Sequence, residues 1–199
     1  MQLPLNQLEN QLEGELLHDT LSRHIFATDA SVFRSVPTAV AYPKSVNDLK
    51  LLLRFAREHN TSLIPRTAGT SLAGQVVGEG IVVDVSKYFT KIGQLDEASR
   101  TIIVQPGVIR DDLNRFLKPY GLFFGPNTST SNRCMIGGMA GNNSSGTTSI
   151  KYGVTRDKVR EIKGLLSDGS EVLFSEISRE VFEEKMKLEG LEGSIYRSL

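Results

Sequence analysis

The sequence predicts an α+β fold: a small parallel βαβ sheet, further strands, a hairpin and helices. Three observations predict it. "TAVAYP" (38–43), an amphipathic stretch opened by Ser45, and "SLIP" (62–65) follow one another within 28 residues, the span of a strand–helix–strand crossover. "GIVVDVS" (80–86) is apolar enough for a strand buried on both faces. Residues 159–174 read as a hairpin, "VREIKGLL" and "EVLF" around the turn "SDGS".

Taken in order, residues 3–25 carry Leu5, Leu8, Leu12, Leu16, Leu17 and Leu21 at helical spacing, which predicts an amphipathic packing helix. "FATDASVF" (26–33) reads as loop. Pro43 ends the first strand. Ser45 is the expected cap of the next helix, with Asp48 as a capping-box variant. Val46, Leu49, Leu52, Leu53 and Ala56 form its expected apolar face, and Arg57 and His59 suit its last turn. "RTIIVQPG" (100–107) is a further strand, followed by a helix from Ile109 to Tyr120 that stops at Gly121. A composition change at 93–99 suggests a subdomain boundary. The charged stretch 178–193 is expected to be loosely held. The final "YRSL" lacks a turn or cap, which suggests the N-terminal piece of a longer protein.

Composition narrows the function classes. The chain has 199 residues, 23% of them charged, with a formal net charge of zero. Balanced charge argues against broad binding of nucleic acid or of an anionic membrane. One cysteine, Cys134, rules out a disulfide framework and a four-thiolate cluster within the chain. No apolar run reaches the roughly 18 residues of a transmembrane candidate, and no signal peptide is legible. The reading is a cytoplasmic protein, with room for peripheral contact with the membrane through an electron acceptor.

Two loops carry the chemistry. "PRTAGTSLAG" (65–74) follows the second strand of the βαβ unit, where ligands of open α/β sheets gather. "GPNTSTSNRCMIGGMAGNNSSGTTS" (125–149) holds five glycines, nine hydroxyl residues and four asparagines, with Arg133 its one charge. Met135, Ile136 and Met139 interrupt it with an apolar turn, so it is expected to pack. Glycines allow positive φ and close approach of a ligand, and successive N–H groups converge on an anion as a nest. Thr67, Thr70 and Ser71 add hydroxyl donors. "GTSLAG" has the gap of a P-loop, but Gln75 stands where the lysine belongs. Neither loop contains G-x-G-x-x-G, which argues against an ordinary dinucleotide-binding domain. On these residues alone, a plain pair of turns and a ligand cradle both stay open.

"PRTAGTSLAG", "QPGVIRDDLNRFLKPYGLFFGP", "IGGMAGNNSSGTTSIKYGVTRDKV" and "LLSDG" come in an order and spacing that resembles the FAD-binding domain of the vanillyl-alcohol oxidase and p-cresol methylhydroxylase superfamily. The sequence is most similar to its FAD-linked 2-hydroxyacid dehydrogenases of glycolate, D-lactate and D-2-hydroxyglutarate type. "FATDASVF" and "GTSLAGQVVG" look most like the long bacterial members that carry a C-terminal iron–sulfur domain. The resemblance implies a two-subdomain FAD-binding fold, a small βαβ parallel sheet packed against a larger mainly antiparallel sheet with helices. It divides the chain into an N-terminal helical arm (1–34) and FAD-binding subdomains at 35–95 and 96–199.

The resemblance also implies roles. The loop Pro65, Arg66, Thr67, Ala68, Gly69, Thr70, Ser71 and Leu72 wraps the FAD pyrophosphate, mainly through the N–H groups of Thr67 to Ser71. Pro126, Asn127, Thr128 and Ser129 run beside the flavin ring and ribityl chain. Gly137, Gly138, Gly141, Asn142, Asn143, Ser144 and Ser145 complete the cradle, and the hairpin after Val159 lies near the adenine. Some members attach flavin through a histidine where this chain has Thr70, so dissociable FAD is expected. Cys134 is read as a buried inert thiol. An intact relative oxidises a small 2-hydroxy acid by hydride transfer to flavin N5 and passes electrons to iron–sulfur centres. Its substrate cap and iron–sulfur domain lie outside this chain.

His18, His24 and His59 read as structural or solvated, and no catalytic residue or metal ligand is assigned. Arg66 suits a phosphate or a structural ion pair equally; Arg133 could face phosphate or substrate; Lys151 and Tyr152 border the flavin or simply pack. Two alternatives stand beside the dehydrogenase reading: a non-catalytic nucleotide-binding or regulatory module of this fold, and a flavin reductase of the cell-wall precursor type.

Overall fold

The computed structural model describes residues 3–199. The chain forms two compact units, Met1–Lys158 and Val159–Leu199.

The leucine spacing of residues 3–25 does not produce one helix. The structure has α1 (Leu5–Glu9), β1 (Glu15–Leu17) and α2 (Thr20–Ile25). The reason lies at Gly14. A Cβ there would stand 2.0 Å from the Tyr42 carbonyl oxygen. The buried Asp48 carboxylate accepts from the N–H groups of Glu13 (2.8 Å) and Gly14 (3.0 Å). These bonds hold the backbone open where a helix would have closed on itself, so tertiary contacts override local preference. Asp19 caps α2 by accepting from the Ser22 N–H at 3.0 Å.

The expected crossover is present as β2 (Ala39–Tyr42), α3 (Val46–Glu58) and β3 (Leu63–Arg66). β4 (Ile81–Asp84) runs between the two strands and parallel to both, giving the order β1-β2-β4-β3. β1 joins β2 antiparallel, with Leu16 opposite Ala41. All four residues of β4 are buried, as its apolar run predicts. Ser45 caps α3 by accepting from the Asp48 N–H. The capping box is not closed, because the Asp48 side chain turns to Lys44 N (2.8 Å) and to the arm. Leu52 and Ala56 are buried with Phe55, whereas Val46 is 43% exposed, so the inward face is displaced from the expected one. The first core gathers Leu8, Leu16, Ala39, Ala41, Leu52, Phe55, Ile81 and Val83.

β5 (Ile92–Asp96) and β6 (Thr101–Val104) form an antiparallel ladder with a register shift between Ile92 and Leu95. Residues 93–99 thus lie in β5 and its turn. α4 (Arg110–Leu117) runs into a 3-10 turn, Lys118–Tyr120, stopped by Gly121 at φ +66. A second core of Val108, Leu113 and Leu117 packs with Ile92, Leu95, Ile102 and Val104. α5 (Ile136–Gly141) and α6 (Ser149–Tyr152) lie within the long polar stretch.

In the second unit, β7 (Glu161–Leu165) and β8 (Glu171–Ser175) pair as the expected hairpin, with Gly169 at φ +87 in the turn. The charged stretch expected to be loose is instead α7 (Arg179–Met186) and α8 (Gly190–Ser198). Phe182 meets the Tyr196 ring edge-on at 5.5 Å. Lys185 pairs with Glu192 at 2.6 Å, and Arg197 donates to the carbonyls of Met186 and Leu188. The fold is therefore mixed, with parallel and antiparallel sheet. Beside the antiparallel β1–β2 edge of the four-stranded sheet, the antiparallel pairs among the described residues are the two-stranded ladders β5–β6 and β7–β8, in place of the larger antiparallel sheet expected. Among the described residues, no helix is long and apolar enough to cross a membrane.

Candidate functional site

The first glycine loop leaves the sheet at Arg66, the last residue of β3. Gly69 takes φ +63 and Gly74 φ +69, conformations that glycine adopts without steric penalty. Ser71 Oγ bonds within the loop, to the Gln75 amide and to the Ala73 N–H. The main-chain N–H groups of Thr67, Ala68, Gly69, Thr70 and Ser71 donate to no acceptor among the described residues. Five consecutive donors on a half-buried loop are thus free for a ligand.

The second loop is organised by α5. Its start is seated on the turn after β6: Gly137 N–H donates to the Pro106 carbonyl at 2.9 Å, and a Cβ on Gly137 would come 2.4 Å from Pro106 Cβ. Gly138 faces the first loop, where a Cβ would stand 2.4 Å from Thr67 Oγ1. Gln75 Nε2 donates to Asn142 Oδ1 at 2.8 Å, a second link between the loops. The bends at 65–74 and 137–145 therefore meet. Gly138 and Ser145 add N–H groups without an acceptor among the described residues. Beyond Gly141 a Cβ would find nothing within 4 Å, so this part of the second loop borders open space. Asn143 (φ 45) accepts from the Arg156 N–H, and the fully buried Thr155 donates its hydroxyl to the Ser144 carbonyl at 2.7 Å.

Pro126 to Ser129 attach to the second loop. Thr148 Oγ1 donates to the Gly125 carbonyl (2.9 Å) and to Asn127 Oδ1 (2.7 Å). Gly146 comes so close that a Cβ would be 1.4 Å from the Asn127 carbonyl oxygen. Thr128 Oγ1 donates to Cys134 Sγ at 3.3 Å, and that thiol is buried against Met139.

Two positioning groups had no sequence signal strong enough to single them out. Arg110 spans the segment before Pro126, donating to the carbonyls of Pro126 (3.1 Å) and Phe124 (3.2 Å). Phe26 and Thr28 receive the Arg66 side chain, which turns toward them: Nη1 lies 2.9 Å from the Thr28 carbonyl. Burial pushes the Arg66 guanidinium below its ordinary value, opposed by the charges of Asp84 and Asp29. Tyr152 meets the Phe123 ring edge-on at 5.1 Å, with Lys151 beside its face. Arg133 is exposed and bonds its neighbour Asn132. The histidines have other partners: His18 with Glu9, His24 with the Thr20 carbonyl, His59 against the Phe55 ring. A hollow of about 670 Å³ beside Leu3, His18, Arg23 and Thr38 shares no residue with either loop.

This geometry suits a neutral cradle for a diphosphate: amide donors without lysines, and glycines where a side chain would close the gap. Residues 37–175 match the family described as FAD binding domain. The D-2-hydroxyglutarate dehydrogenase of Haemophilus influenzae is 39% identical over 169 residues, which are 83% of this chain and 16% of that protein. Its Escherichia coli namesake is 36% identical over 199 residues, 98% and 20% of the two chains. Glycolate oxidase subunit GlcD of Bacillus subtilis is 36% identical over 149 residues, 74% of this chain and 32% of that one. The chain thus spans less than a third of the length of these relatives. Among solved structures, an alkyldihydroxyacetonephosphate synthase superposes with a TM-score of 0.75 at 20% identity, covering 87% of this chain and 34% of its own. The 6-hydroxy-D-nicotine oxidase of Arthrobacter nicotinovorans gives 0.74 at 22%, covering 86% and 38%. At such identity the likeness is one of fold.

Proposed function

The chain belongs to the FAD-binding domain family, and from that premise we propose that it is the FAD module of an oxidoreductase acting on a small 2-hydroxy acid. The observation that carries the site is the meeting of Thr67 with Gly138, with the N–H groups of Thr67 to Ser71 unengaged on one side. We assign cofactor contacts to the loop Pro65 to Leu72, within which the Arg66 side chain is turned away to the Phe26 and Thr28 carbonyls, to Pro126 through Ser129, to Gly137 and Gly138, and to Gly141 through Ser145. Bound there, FAD would supply a two-electron acceptor for oxidation of the substrate. The chain's own residues bind and orient it. Amides of the first loop neutralise diphosphate charge, Thr67 and Gly138 set the spacing between the loops, and Arg110 holds the 124–126 segment in line. Thr70, at the position where some relatives attach flavin, supports dissociable FAD.

We keep the division into an arm at 1–34 and subdomains at 35–95 and 96–199 as part of this reading; the first hydrophobic cluster joins Leu8 and Leu16 of the arm to the sheet, and the second reaches across residue 95 to Ile92 and Leu95. The specific hydroxy acid class is carried by the named relatives, and the catalytic base, substrate cap and iron–sulfur domain are placed outside these residues. The test uses the complete protein. It should bind FAD, release it on denaturation, and lose its yellow colour anaerobically with D-2-hydroxyglutarate, D-lactate or glycolate. Retained FAD with no bleaching by any 2-hydroxy acid would favour the flavin-reductase reading, and a protein without flavin the non-catalytic one. Gly69→Val should prevent FAD retention in a folded protein, because a β-branched residue resists φ +63. An unchanged FAD titration of that variant contradicts the assigned role.

A further inference from the structure

We infer that Arg66 is a positioning residue for the cofactor loop: it fastens that loop to the segment Phe26–Ala30, which lies N-terminal to the residues that match the family. The inference rests on the reading of that loop as a cofactor cradle.

Arg66 is paired in register with Asp84 of β4, and its carbonyl accepts from the Val85 N–H at 3.0 Å. Its main chain belongs to the sheet, while its side chain leaves it. Nη1 donates to the Thr28 carbonyl at 2.9 Å and reaches the Phe26 carbonyl at 3.5 Å. The Phe26 ring faces the guanidinium carbon at 5.0 Å, within the range of a cation–π contact. The loop then doubles back over the same group. Gly69, at φ +63, sits so close that a Cβ would be 2.6 Å from Nη2. Ala30 closes the arrangement by donating its N–H to the Gly69 carbonyl at 3.1 Å. Asp29 contributes a carboxylate oxygen that is buried without a hydrogen-bond partner among the described residues, and its charge favours that of Arg66.

The guanidinium is thus a flat template between two pieces of backbone, engaged with carbonyls on one side and covered by Gly69 on the other. An ammonium has neither the fork nor the stacking face. Because Gly69 is central to the run Thr67–Ser71, its placement sets where those five N–H groups point. Arg66 therefore acts on the cofactor through the loop, its Nη1 already engaged by the 26–28 carbonyls.

The experiment titrates FAD into the complete apoprotein and measures its unfolding midpoint. Arg66→Lys should bind FAD roughly ten- to a hundredfold more weakly, the loss expected for charge-assisted bonds. Phe26→Leu keeps the arginine and should weaken binding about two- to fivefold at a nearly unchanged midpoint. Wild-type affinity in Arg66→Lys overturns the inference. Loss in Arg66→Lys with wild-type affinity in Phe26→Leu also overturns it, since the arginine would then touch the cofactor directly. If Arg66→Lys does not fold, Phe26→Leu decides alone: weaker binding supports the inference and unchanged binding overturns it. A wild-type protein that takes up no FAD refutes the proposed function and this inference together, a result distinct from either variant's.

Discussion

Glycines in the second loop do different things, and their surroundings separate them. Gly146 has the Asn127 carbonyl oxygen 1.4 Å from where its Cβ would be. That neighbour is main chain and cannot rotate aside, so Gly146→Ala must push residues 125–127 away from 146–148. A loss of about 1–3 kcal/mol is expected in thermal or urea unfolding, in line with other overpacked sites. Gly141 ends α5 with nothing within 4 Å. Gly141→Ala should leave stability unchanged or raise it by up to about 1 kcal/mol, as alanine does in helices. Any loss of FAD binding in that variant then reports ligand approach rather than unfolding. Both glycines look alike in the sequence; the first is fixed by protein and the second borders free space.

At the scale of elements, the N-terminal arm is the part the sequence misdirects. Its leucines repeat at helical spacing, yet β1 adds an edge strand to the sheet. The deciding partners, Asp48 and the Tyr42 carbonyl, are over 25 residues away, and no local pattern announces them. By contrast β2, α3, β3, β4 and α4 were legible, because apolar period, the Ser45 cap and Gly121 are local signals. β1 is also fastened by Glu15, which accepts from Lys87 Nζ and the Tyr88 hydroxyl. These bonds hold the Glu15 carboxyl below its ordinary 4.5. A depressed carboxyl stabilises above its unfolded value and loses that contribution as pH falls through the folded one. Acidification below about pH 4.5 should therefore loosen β1 first, seen as faster amide exchange or proteolysis at residues 13–17. Glu15→Gln should show little of that acid dependence; an arm equally protected at pH 3 and pH 7 in the wild type would contradict it.

For the whole molecule, the order of motifs indicated two glycine-rich bends, and the structure brings them together at Thr67 with Gly138 and at Gln75 with Asn142. What the sequence could not place were the groups that hold the bends in position. Arg110, Phe26 and Asp29 are ordinary residues in ordinary stretches until folding sets them against carbonyls and an arginine. α5 was legible only as an apolar turn, since its glycines are poor helix formers and it is kept by its seat on Pro106 and the burial of Met139. The central claim is that main-chain amides of both bends hold the cofactor. Amide hydrogen–deuterium exchange of the complete protein, with and without saturating FAD, tests it most directly. FAD should slow exchange at Thr67 to Ser71, Gly138 and Ser145 together; bound FAD that leaves those amides exchanging as in the apoprotein would contradict the account.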